Sequence, residues 1–569
     1  MFFIAVSWLY IFLASALVGL FIQQKLKLPF QALVIQCLGW FGIALLASIY
    51  ALFFPLNGIF HLVLLSFVFV SGFIYKKEFL KLIQDLWKLF KHLKIGFKVF
   101  IGIISVLILA KCASAPYILD NESYYIQTIK WLNEHGFVKG LANLHLFLGQ
   151  TSGWHILQAA FNFDFLYANF NDLSGYCLLW GNLYSVKLLN DYFKNPRQKS
   201  LLFFAAFPLL NVFYFSFIAA PSPDIPVYVI SWYVFYLVFT HFEQISPKLL
   251  ISICLLIYFL IFIKLTNAFL LLLPLFFFVQ NFKRHQPVIP LFLISGVSTL
   301  VIICLKNIMV TGVPLYPISL FGSLFSFDYV LPAELQKFYY HTTQAFAYKL
   351  SPNQYAELNA WQLFWHWLSL PKLHGFFNKF VIVLSAVTPL FITKIAKIEL
   401  KKSSWFLYII GIFQLIILGL TSPQYRFFLS IIFLFISLIS LYFLQHKKLI
   451  SSLMVLSLIG VMIHTFFSFS LNSFTNNPFA TQSSSFQLKQ IVFPHKNSRY
   501  SFDYEHLFLD NLDYHSPKKN DFFWNTGDGP LPTVNKDQIH YFKDNFRYIP
   551  QQRGKDLKEG FYSKKLPVE

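Results

Sequence analysis

Apolar runs of roughly the length that crosses a bilayer, about 20 residues, follow one another through the first 470 positions, separated by short polar breaks. They predict membrane-spanning helices near 1–22, 30–54, 58–75, 98–115, 172–190, 199–220 and 226–242, and again near 249–263, 267–280, 287–310, 377–393, 404–420, 427–444 and 449–470. Two stretches break the pattern. Residues 76–98 (KKEFLKLIQDLWKLFKHLKIGFK) place Phe79, Leu82, Ile83, Leu86, Phe90 and Leu93 at helical spacing with lysines on the other face, the mark of a helix lying in the membrane interface. Beyond residue 470 the apolar runs stop, and turn signals such as NTGDGP (525–530) take over. The expected architecture is therefore an all-α polytopic membrane protein of about 14 transmembrane helices in 1–470, followed by a small soluble α/β domain in 471–569.

Charge sets the expected orientation. Basic residues fall in alternate loops: Lys25 and Lys27, seven lysines within 76–98, then Lys187, Lys194, Arg197 and Lys199. Lys283 and Arg284, then Lys394, Lys397, Lys401 and Lys402, then Lys447 and Lys448 complete the series. The positive-inside rule makes these loops cytoplasmic. The formal charge of +20 is thereby used up as an orientation signal, and a nucleic-acid partner is not expected. The alternation survives only if the apolar stretch 249–280 is split at Lys264, giving two spans instead of one. The N-terminus lacks the basic n-region of a signal peptide and reads as a retained first helix entering from the outer side. On this topology the large polar loops 116–171 and 311–376 lie outside, as does the C-terminal domain. Mean hydropathy of +0.58 and an aromatic share of 20% suit a lipid-facing surface. The five cysteines all fall in or beside apolar runs, so no disulfide framework is expected.

The outer loops hold the candidate chemistry. Asp120 and Glu122 emerge where a span ends and a helical stretch begins, as a carboxylate pair or as a simple helix cap. Asn143, His145, Trp154 and His155 follow in the same loop, hydrogen-bonding and aromatic groups of the kind that hold sugars or polar head groups. Asp224 sits in a turn punctuated by Pro221, Pro223 and Pro226, where it is either a second reactive carboxylate or a turn residue. Lys264 interrupts an apolar run, which marks either a functional charge or a side chain snorkelling to the interface. Tyr316 stands in a rigid exit from a span and either lines a cleft or belongs to the aromatic belt. Arg426 is an arginine in a chain that otherwise prefers lysine (six arginines against 39 lysines), and its planar fork suits phosphate.

In order along the chain come DNESYY (120–125), GLANLH (140–145), APSPDIP (220–226), IKLTN (263–267), TGVPLYP (311–317) and SPQYRF (422–427). This ordered set resembles the GT-C superfamily of glycosyltransferases that use polyprenyl-phosphate sugars, and within it a family of bacterial polytopic membrane proteins. The resemblance implies an inverting transferase in the bacterial cytoplasmic membrane, moving a sugar from a polyprenyl-linked donor to a glycan, lipid or protein acceptor at the outer face. It implies a catalytic carboxylate in the first outer loop, which carries over to Asp120 and then to Glu122, with Asp224 as a further candidate. Lys264 and Arg426 would then hold the lipid phosphate, and Asn143, His145, Trp154, His155 and Tyr316 the substrate. Paired carboxylates beside phosphate oxygens also suit Mg or Mn, with Asp120, Glu122 and Asp224 as ligands. A lipid-linked oligosaccharide transporter and an O-antigen polymerase or ligase remain open as other readings.

Overall fold

The computed structural model describes residues 1–167, 173–318, 325–395, 397–475, 479, 482–518 and 522–567. These are mostly helical. Among them, nine helices are long and apolar enough to cross a membrane, and a tenth span is added if the bent pair Gly58–Ile74 and Lys76–His92 counts as one. The chain is thus a membrane-embedded helical protein. Several of these helices display rather than bury their apolar side chains. The most apolar 18-residue stretch of Phe282–Thr311 is 11% buried within the protein, and Leu293, Ile294, Val297 and Leu300 face outward. Such a surface is stable only against lipid, where helices satisfy their own backbone polar groups.

The remaining five expected segments, 58–75, 172–190, 199–220, 249–263 and 267–280, are also occupied by helices, but shorter or more polar ones. Leu173–Lys194 carries Asn182, Asn190 and Asp191, and its neighbour over 199–214 is broken into short turns. Asn182 and Asn211 face one another with mutual amide hydrogen bonds of 3.0 and 2.8 Å, a polar contact buried between these segments.

The chain reverses at Lys264. Helix Pro247–Ile263 ends there with Lys264 in extended backbone, and Leu265–Leu271 starts a new, tighter turn. Carbonyls freed by the break are taken up locally: Asn267 Nδ2 donates to Leu260 O and Lys264 O (both 3.1 Å), and Ser152 Oγ donates to Ile263 O at 2.9 Å. The helix after the break runs back alongside Asp224–His241, because Lys264 pairs with Asp224 at one end of that helix while Phe276 stacks 6.0 Å from Phe242 just past the other.

Basic loops gather at the opposite end of the bundle. Lys194 Nζ donates to His92 O, Lys94 N–H to Asn190 Oδ1, Lys402 pairs with Glu243, and Lys447 lies over Phe193. Alternation read along the chain is therefore matched by two polar ends in space, one lysine-rich and one holding the outer-loop motifs.

The C-terminal residues form two antiparallel hairpins, Tyr504–Leu509 with Leu512–Pro517 and Tyr548–Gln552 with Phe561–Lys565, around helix Lys536–Phe546. They do not stand apart from the helical body. Trp524 packs edge-on against Phe147 at 4.8 Å, Phe338 meets Phe542, and Arg553 forks onto Asp328 at 2.8 and 3.0 Å. A small second apolar core, including Leu146, Tyr316, Leu331, Tyr339 and Phe542, joins the C-terminal part to both large loops.

Candidate functional site

Four of the singled-out side chains meet at the end of the bundle opposite the lysine-rich loops. Arg426 pairs through Nη1 with Asp120 Oδ2, and Lys264 Nζ pairs with Asp224 Oδ1. The two pairs share one aromatic ring: the Phe427 ring centroid lies 4.5 Å from Lys264 Nζ and 5.2 Å from Arg426 Cζ. Asp120 and Arg426 are 306 positions apart in the chain, Asp224 and Lys264 40.

Each member is fixed by its own segment. Asp120 leads into a wide π-helical turn, Asn121–Tyr125, in which the Ile126 N–H reaches back to Asn121 O; such turns re-aim side chains and cluster at functional sites. Tyr125 OH donates to Asp120 Oδ2 at 3.4 Å. Asp224 opens its helix, where the positive end of the dipole favours an anion, and its N–H donates to Ser222 Oγ at 3.3 Å. Its second oxygen, Oδ2, is buried without a hydrogen-bond donor among the described residues. Arg426 Nε donates to Gln424 Oε1 (3.1 Å), and Tyr228 OH donates to Arg426 O (2.6 Å), so the guanidinium is steered from its own turn and from the Asp224 helix together.

A fifth group was missed in the sequence. Lys349, in the second outer loop, stands in left-handed backbone (φ 57°) with Nζ 3.9 Å from the Phe346 ring. Burial and the nearby Arg426 push its ammonium down to about 8, with Asp120 pulling the other way. Its segment is tied to the Arg426 turn: His366 Nε2 lies 2.9 Å from Tyr348 O, and Trp367 Nε1 donates to Pro423 O at 2.8 Å. Nothing local in AYKLSPNQY (347–355) singles out that lysine; only the fold brings it to the cluster.

Glu122 faces elsewhere. Its Oε2 accepts from Ser498 Oγ (2.7 Å) and its Oε1 from Arg499 N–H (2.9 Å), while its carbonyl accepts from Thr526 and Gly527 N–H. Burial pushes its carboxyl up to about 7, against the pull of those donors. The expected carboxylate pair is thus separated, Asp120 to the ion-pair cluster and Glu122 to a seam with the C-terminal part. The expected metal set of Asp120, Glu122 and Asp224 is not brought together either; among the described residues no three His, Cys, Asp or Glu side chains are grouped to hold a metal ion.

The expected substrate-binding residues mostly make contacts within the protein. Asn143 donates to Gly140 O and Tyr329 O and accepts from Ser563. His145 is buried between Phe147 N–H and Trp524 O, and burial lowers its imidazole to about 4. Trp154 is a core residue donating to Ser174, and Tyr316 donates to Leu146 O beneath Tyr339. GLANLH is a packing motif: a Cβ on Gly140, at φ +60°, would come 2.2 Å from Phe561 O. His155 stays closer to the chemistry. Its ring lies 4.5 Å from that of Tyr125, the residue that contacts Asp120, and burial holds it neutral, down to about 3, with Lys264 adding to the fall.

The model of a family described as a domain of unknown function, DUF8201, matches residues 1–433, a stretch that contains every member of the cluster. No curated protein and no solved structure matches the chain.

Proposed function

The chain belongs to the DUF8201 family, and we propose that it is an inverting membrane glycosyltransferase, using a polyprenyl-linked sugar at the outer face of a bacterial cytoplasmic membrane. One observation carries the reading: two carboxylate–cation pairs joined across Phe427 at the polar end of an apolar helical bundle. Carboxylates can accept a proton and fixed cations can receive a phosphate, and a lipid-linked donor must present its phosphate at such a depth.

Asp120 is the general base. Its Oδ2 is held by Arg426 and Tyr125, and its carboxylate takes the proton of the acceptor hydroxyl as that oxygen attacks the anomeric carbon. The bond from that carbon to the phosphate oxygen breaks, and the electron pair leaves with the lipid phosphate. Arg426, Lys264 and Lys349 receive the charge. Because Arg426 is paired with Asp120 beforehand, an arriving phosphate competes for the guanidinium and frees the base when the donor is in place. Asp224 holds Lys264 in position. The shorter helices at 58–75, 173–194, 199–214, 247–263 and 265–280 complete a bundle of about 14 spans, with the lysine-rich loops inside and residues 471–569 outside.

The test is release of free polyprenyl phosphate from purified protein given polyprenyl-phosphate sugars and a mixed acceptor extract. Release that depends on Asp120 supports the reading. Tight donor binding without release in any acceptor mixture would overturn it.

A further inference from the structure

The lysine-rich end of the molecule carries a second surface, unrelated to the ion-pair cluster. Helix Lys76–His92 leaves Gly58–Ile74 at an angle of 88°, so if the latter runs through a bilayer the former lies along its surface. Four stripes run along it. Phe79, Leu82, Leu86 and Leu89 pack onto the protein core. Beside them Leu80, Ile83, Trp87 and Phe90 are exposed, Trp87 by 67%. Next come exposed Lys77, Lys81, Lys88 and Lys91, and on the far side Glu78 and Asp85. Helical geometry fixes this order, since residues three and four apart share a face.

An exposed apolar stripe bordered by lysines, with the acidic residues beyond the lysines on the side away from it, matches one occupant in shape and charge. The acyl chains of a leaflet take the apolar stripe, and anionic headgroups take the lysines above it. Lys94 and Lys98 extend the basic edge past the end of the helix, and Lys94 N–H is anchored to Asn190. We infer that this helix is a binding surface for anionic phospholipid headgroups, and that it selects them over zwitterionic ones on the basic side of the membrane. A lysine near such a surface favours an anionic lipid by roughly fivefold, and the preference fades with salt over a Debye length.

The full-length protein, reconstituted into phosphatidylcholine vesicles with or without phosphatidylglycerol, tests this through Trp87. Its contribution to tryptophan fluorescence is the difference between the wild type and Trp87→Phe. Brominated phosphatidylglycerol should quench that contribution several-fold more than brominated phosphatidylcholine at low salt. The difference should vanish in 0.5 M salt (a Debye length of about 4 Å) and in a Lys77→Gln, Lys81→Gln, Lys88→Gln, Lys91→Gln variant. Equal quenching by both lipids would overturn the selectivity. Absence of quenching by either would show the stripe covered by protein, a second copy of the chain included, and would overturn the lipid surface altogether. A variant that fails to reconstitute does not stop the test, because the salt arm uses the wild type alone.

Discussion

Asp120 and Glu122 are two residues apart, both partly or fully withdrawn from water, and they end in opposite circumstances. Asp120 meets a guanidinium and stays reachable; Glu122 meets a hydroxyl and a backbone N–H, is sealed under the C-terminal part, and sits near neutrality in its titration. A carboxylate that faces a fixed cation and keeps 24% of its side chain exposed is equipped to exchange partners. One satisfied by neutral donors in a sealed seam holds two pieces of protein together. Two positions apart on one helical turn, the side chains point to different sides of one short segment.

The comparison breaks first on catalysis. Asp120→Asn keeps the shape and loses the proton acceptor, so turnover should fall by about 10²–10⁴-fold while donor binding survives. Glu122→Gln should leave turnover within about threefold, well inside the loss expected of a missing base. Loss of turnover in the Glu122 variant with an intact C-terminal seam would exchange their roles.

Arg426→Lys comes next. It retains the charge and loses the planar fork, which should weaken donor affinity by about 10–100-fold, the value of a charged hydrogen bond of roughly 1.5–3 kcal/mol. Isothermal titration with a non-hydrolysable donor separates this from an effect on the chemical step. Unchanged affinity would remove the phosphate from Arg426.

The seam should respond to pH. The folded carboxyl of Glu122 sits near 7, above its ordinary value of 4.5, so between those values the folded state binds more protons than the unfolded. Stability of the seam therefore rises as pH falls from about 7 toward 5, and drops as pH climbs through 7. Protease nicking of the C-terminal part, followed across that range, should slow at the acid end, and Glu122→Gln should flatten the profile. Faster nicking at pH 5 than at pH 8 would contradict the buried, near-neutral carboxyl.

The smallest effect is expected where sequence reasoning saw substrate binding and the fold has packing. Tyr316→Phe removes one buried hydrogen bond to Leu146 O and should cost about 1 kcal/mol of stability with turnover unchanged, as read by thermal melting and by product release. A changed KM would return Tyr316 to the site.

Much of the fold was legible, because apolar length and lysine placement are local signals with a direct physical cause. The turn at Lys264 is the sharpest case: a lone charge and the alternation of basic loops required a reversal, and the chain reverses there. The span count was less legible. Length and apolarity cannot weigh a segment such as 199–214, which is broken into short turns and meets Asn182 through Asn211 only in the fold. At the cluster, Asp120, Asp224, Lys264 and Arg426 stood out as charges at the ends of apolar runs. Lys349 did not, since it lies in an ordinary polar loop. His145 and Asn143 look like ligands in sequence because packing polar loops against a second layer of protein uses the same residue types as binding a sugar.

Ser498 lies 376 positions after the carboxylate it helps to hold. Synthesis proceeds from the N-terminus, so the loop bearing Glu122 leaves the ribosome long before its clamp exists. During that interval its seam face is bare. The seam therefore closes only once residues 498–527 have been made, after every member of the ion-pair cluster is already in the chain.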